Sequence, residues 1–192
     1  MIILLLLFTL LISIFNAYSV GRSWYFAKYT GGFPYLLEWC GAIMTAIGFS
    51  MIWTVIIAFV ASAFHFVSPA TIHAMMVLYP ALIYVPLVLT GFVIMVESWR
   101  AVFVRGQGGL ERTLNIVNAS YNTYAEFSNI SMGGEIFKSV SGLFDGDDDA
   151  SSVAIKGGLV LALFGVFGGA ITAFLLIRKI ARKSLIPQAS VA

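Results

Sequence analysis

Charged positions in this chain fall in blocks separated by long apolar runs. Residues 39–96 contain no Asp, Glu, Lys or Arg, and Glu38 and Glu97 bound the run. At roughly 1.5 Å per residue, its 58 positions are far too long for one crossing of a ~30 Å hydrocarbon core and about right for two. Val67, Ser68 and Pro69 are the one place inside it that reads as a turn, because proline ends a helix and serine satisfies loose backbone groups. The pattern therefore predicts a helical hairpin in lipid, with helices over about 35–66 and 70–96.

Two further apolar runs flank the hairpin. Residues 1–20 are interrupted only by Thr9, Ser13, Asn16 and small or aromatic residues. A signal peptide would need a positive n-region, yet the first cation is Arg22, so an uncleaved first transmembrane helix is expected. Residues 153–177 predict the last crossing, followed by a basic tail over 178–192 that opens with Arg178, Lys179, Arg182 and Lys183. Between the first two helices, Trp24, Tyr25, Tyr29, Phe33, Tyr35 and Trp39 crowd a short connector over 21–34. They form an aromatic belt of the kind that collects at headgroup level.

Small residues line two of the helices. On the second, Ala42, Ala46, Ser50, Thr54, Ala58 and Ser62 recur every fourth residue. On the last, Gly158, Ala162, Gly165, Gly169 and Ala173 share one side, with Gly165 and Gly169 forming GxxxG. Such rows let helix backbones approach closely in lipid, so both are expected to be helix-packing faces. Pro80 and Pro86 are expected to bend the third helix.

The connector over 97–152 has a different pattern. Leu110, Leu114, Val117, Tyr121 and Tyr124 step by four and three, the stripe of an amphipathic helix. Thr113, Asn115, Asn118 and Asn122 occupy the opposite face. The Gly133, Gly134 pair predicts a break, and Ile136, Phe137, Val140, Leu143 and Phe144 a second amphipathic piece. Too small to form a core alone, these segments are expected on the bilayer surface or on a partner, with the Leu110-to-Tyr124 stripe as the interaction surface.

Composition agrees with the pattern. The 192 residues are 60% hydrophobic and 10% charged, against about 25% charged in soluble domains, so the chain reads as an integral membrane protein. The fold class expected is all-α, a single membrane domain of four transmembrane helices with amphipathic helical segments between the third and fourth. A net charge of +2 spread beside apolar segments gives no reason to expect nucleic acid. The single cysteine, Cys40, excludes an intramolecular disulfide and any multi-cysteine metal site.

Four crossings would put both termini on one side. Cations near the helix ends then divide almost evenly: four in the tail, five in the connectors (Arg22, Lys28, Arg100, Arg105, Arg112). The dense tail cluster favours cytoplasmic termini. The compact, cysteine-poor design fits a bacterial inner membrane or a viral or phage-associated one.

Candidate chemistry is sparse. His65 and His73 flank the Pro69 turn, but a metal site needs a third ligand and no Asp, Glu or Cys lies between Cys40 and Glu97. Asp145, Asp147 and Asp149 resemble the start of a calcium loop, whereas Ala150 and Lys156 stand where its glycine and glutamate belong. Asn118 and Asn129 open chance glycosylation sequons. Glu97 and Arg100 form a local i, i+3 pair. No nucleophile elbow, phosphate loop or intramembrane carboxylate pair is present, so neither enzymatic chemistry, a cofactor nor proton coupling is expected.

Two function classes remain. The first is a small polytopic protein that acts by assembly, as a homo-oligomer or a subunit of a larger membrane complex. The alternative is a weakly selective pore or lysis-type permeability protein, with Thr9, Ser13, Asn16, Ser50, Thr54 and Ser62 as candidate lining.

Overall fold

A computed structural model describes residues 2–31, 35–145 and 149–183. The described chain is all-α: α1 (Ile2–Thr30), α2 (Leu36–Ala63), α3 (Pro69–Val102), α4 (Gly109–Phe144) and α5 (Asp149–Lys183). Helices α1, α2, α3 and α5 are each long and apolar enough to cross a membrane, so the chain has an integral membrane fold. Much of the acidic run over 145–149 and of the basic tail lies outside the described residues.

Local chemistry sets the helix ends. Ser68 caps α3 by accepting the Thr71 backbone N–H at 3.2 Å, and Pro69 takes the first helical position, where a missing donor costs nothing. Before it, His65 adopts φ 53°, the left-handed region that ends α2. Pro80 and Pro86 both lie inside α3, which runs on past its expected end to Val102 and includes the 2.6 Å Arg100–Glu97 ion pair.

Two elements are longer than the pattern predicts. Helix α1 continues ten residues beyond position 20, through most of the expected connector. Gly21 is no hinge; a Cβ there would stand 2.8 Å from the Ile180 Cβ, so the glycine lets α1 and α5 touch. Likewise, α4 passes through Gly133 and Gly134 without the expected break. A Cβ at Gly133 would stand 2.7 Å from Tyr84 Cζ, and the Tyr84 hydroxyl donates to the Ile130 carbonyl at 3.2 Å. That glycine marks a close approach between helices.

Helices α2 and α5 run antiparallel at the centre. Gly165 faces Thr54 and Gly169 faces Ser50, while Trp53 Nε1 donates to Thr172 Oγ1 at 2.9 Å. Helix α1 lies against both, through Ser13 on Gly48, Val20 on Gly41, and a Ser23 hydroxyl that donates to Glu38 Oε1 at 2.9 Å. On the other side α3 packs through Met75, Leu78 and Tyr79, which bury with Ala162 of α5. Helix α4 covers α3 and hardly touches α5.

One end of this bundle gathers the C-terminal ends of α1, α3 and α5 with the N-terminal ends of α2 and α4. Nine of the eleven lysines and arginines belong to it: Arg22, Lys28, Arg100, Arg105, Arg112, Arg178, Lys179, Arg182 and Lys183. The far end holds Lys138, Lys156, Asp145 and Asp149. Ile2 and Lys183 are therefore at opposite ends. The expected arrangement had both termini on one side; it differs because α4 runs back along α3 instead of staying at one level.

Candidate functional site

The site begins with two seven-residue repeats. Tyr84, Gly91 and Ser98 recur along α3, and Ala119, Glu126 and Gly133 along α4, so each set stays close to one face of its helix. Their contacts run in opposite directions. Asn122 Nδ2 donates to Ser98 Oγ at 2.6 Å, Glu126 lies on Gly91, and Gly133 lies on Tyr84. Beside Ser98, Trp99 Nε1 donates to Thr123 Oγ1 at 2.9 Å. Near the basic end the loop joins in: Asn115 Nδ2 donates to Gln107 Oε1 at 3.2 Å, and Gln107 Nε2 donates to the Ala101 carbonyl at 2.5 Å. Helix α4 is thus fastened to α3 by a polar seam along most of its length.

Glu126 is the charged member. Only 2% exposed, it is the one carboxylate among the largest fully buried side chains. A Cβ at Gly91 would collide with its Oε2, so the glycine is what makes room for it. Asn129 Nδ2 reaches Oε2 at 3.5 Å, and Oε1 has no partner. A carboxylate oxygen buried without a donor is a costly arrangement, and Glu38 Oε2 on α2 shares it. The carboxylates of the four apolar helices, Glu38, Glu97 and Asp149, sit near the helix ends, whereas Glu126 lies in the middle of α4. At the basic end the seam opens into a cleft of about 720 Å³ lined by Leu37, Ile94, Glu97, Arg100 and Asn118 among others.

The stripe of Leu110, Leu114, Val117, Tyr121 and Tyr124 is on the other side of α4, each residue 60–77% exposed. Of the face expected to meet water, Asn122 donates to Ser98 of α3 and Asn115 to Gln107 of the preceding loop, while Thr113 and Asn118 are exposed. A buried amide is held where it finds a hydrogen-bond partner.

The two small-residue rows meet where Gly165 faces Thr54 and Gly169 faces Ser50, while Gly158 packs on Ala74 and Met75 of α3. On α5, Gly158, Ala162, Gly165, Gly169 and Ala173 are all buried. On α2, Ser50 and Thr54 are buried at the contact, Ala42 and Ala58 pack at the edges of the two apolar clusters, Ala46 is half-buried, and Ser62 is exposed. Ser50 shares a 2.8 Å hydrogen bond with the Tyr79 hydroxyl and donates to the Ile47 carbonyl at 2.8 Å. Ser13 is buried on Gly48. Ser13, Ser50 and Thr54 thus sit in helix contacts, whereas Thr9 and Asn16 are half-buried and Ser62 is exposed. His65 and His73 are both exposed beside the α2–α3 turn.

Glu126 was not singled out from the sequence, although one signal marks it. Residues 113–134 hold no other charge, with Glu111 and Arg112 before them and Glu135 after. The chain matches no protein-family model, no curated protein and no solved structure.

Proposed function

We propose that the chain acts by assembly within the membrane, as a homo-oligomer or a subunit of a larger membrane complex, and that α4 is the helix that meets the partner. The observation that carries this is the outward face of α4. Val117, Ser120, Tyr121, Tyr124, Phe127, Ser128 and Ser131 are all exposed on a helix that runs alongside the apolar length of α3. The 22 residues of the 113–134 run span roughly 33 Å, the thickness of a hydrocarbon core. Hydroxyls at that depth are better satisfied by another helix than by acyl chains. The small-residue row of α5 does not compete for this role, because it is buried against α2 and α3.

In this proposal α4 is a fifth crossing. The end that gathers nine of the eleven cations then faces the cytoplasm by the positive-inside rule, with Ile2 at the opposite face. A bacterial inner membrane or a viral membrane fits that charge asymmetry. The pore alternative draws support from the same face, since Ser120, Tyr124, Ser128 and Ser131 would line a polar path if copies met through α4.

The test is the size of the particle in mild-detergent extracts. Wild type should elute well above a 20.9 kDa monomer with its detergent belt, and Ser128→Arg should bring it down to monomer size. A wild-type monomer would refute assembly. Conductance of reconstituted protein, abolished by Ser128→Arg, would favour the pore.

A further inference from the structure

Between α1 and α5 at the basic end lies a second cleft, of about 350 Å³, lined by Trp24, Tyr25, Lys28, Phe174, Arg178 and Arg182 among others. No carboxylate lines it, and none of its three cations is ion-paired among the described residues. Arg178 and Arg182 are i, i+4 on α5, a spacing at which like charges repel, and Lys28 adds a third from the last turn of α1. Three cations gathered round one concavity focus a positive potential that an anion relieves. Arginine is suited to phosphate because its planar fork donates in pairs.

The rest of the lining says what carries the phosphate. Trp24 and Tyr25 have amphipathic rings of the kind that settle at headgroup level. Phe174 lies one helical turn from Arg178 toward the centre of α5, so the cleft passes from cationic to apolar along the helix axis. A free anion has no use for that apolar wall; a phosphate attached to acyl chains does. We propose that this cleft binds the headgroup of an anionic phospholipid, with its chains descending over Phe174. The proposal is independent of assembly through α4.

The test uses the full chain in neutral detergent, titrated with short-chain phosphatidylglycerol, phosphatidylcholine of the same tails, and inorganic phosphate. Tryptophan fluorescence and thermal unfolding are the readouts. Phosphatidylglycerol should bind saturably and raise the melting temperature, and the other two should not. Lys28→Gln, Arg178→Gln and Arg182→Gln should each weaken it by roughly fivefold, the effect of one cation near a charged surface. All three side chains are exposed, so the variants should fold. Arg112→Gln removes the same charge from α4, outside the cleft, and should leave affinity unchanged within about twofold. Equal binding of both lipids, or an equal loss with Arg112→Gln, would overturn the site. Saturable binding of phosphate as tight as that of phosphatidylglycerol would overturn the lipid as its ligand.

Discussion

The carboxylate of Glu126 occupies the space that a side chain at position 91 would fill. Gly91 Cα is bare on that face, and a Cβ there would collide with Glu126 Oε2 and stand 3.1 Å from Cδ. The two residues belong to different helices, and neither would be informative alone. Together they set the depth at which α4 lies along α3.

Gly91→Leu should therefore detach α4, because the glutamate has no second cavity to enter. Overpacking of this kind costs about 1–3 kcal/mol. Melting in detergent should fall accordingly, and Asn122, now half-buried against Ser98, should become reactive when replaced by cysteine. Glu126→Gln keeps the shape and should leave the seam intact. Unchanged melting in Gly91→Leu would mean that the contact does not hold the helices.

At the centre of the bundle, Gly165→Leu and Gly169→Leu should each lower monomer stability, since a Cβ at either position already meets α2. A Cβ at Gly169 would stand 2.5 Å from the Ser50 Cβ, with backbone atoms nearer still, so α5 has no room to shift. The particle formed by the surviving folded fraction should keep its size. Loss of assembly with unchanged melting would show that the row faces a partner instead.

The Ser50–Tyr79 hydrogen bond is buried and lies between α2 and α3. A double-mutant cycle of Ser50→Ala and Tyr79→Phe should give a coupling of about 0.5–1.5 kcal/mol, the usual range for such a bond. Additive losses would mean that the hydroxyls merely coexist.

Much of this architecture is legible in the chain itself. Runs free of charge mark α1, α2, α3 and α5, because an unpaired charge in hydrocarbon is too costly to be scattered at random. Ser68 and Pro69 mark the hairpin turn through backbone chemistry alone. The small-residue rows mark packing faces, though not that the α5 row is shared between α2 and α3, since spacing along one helix carries no distance to another. Helix α4 is the element that pattern misjudges. Asn115 and Asn122 look solvated by the logic of a water-facing helix, yet Asn122 bonds Ser98 of α3 and Asn115 bonds Gln107 of the loop, partners that spacing along one helix does not reveal. Gly133 and Gly134 look like a break for a similar reason: in water a glycine pair loosens a helix, whereas beside Tyr84 one of them admits a ring.

The most direct test of the account is whether α4 crosses the bilayer. Single cysteines at Gly108 and Asp145, both exposed at opposite ends of α4, would be introduced with the buried Cys40 replaced by alanine. Each would be probed in intact cells with a membrane-impermeant maleimide before and after permeabilisation. A fifth crossing predicts that Asp145→Cys labels from the outer face of intact cells and Gly108→Cys only after permeabilisation. Labelling of both from the same side would contradict it, returning α4 to one surface of the membrane and removing the basis for assembly through its outward face.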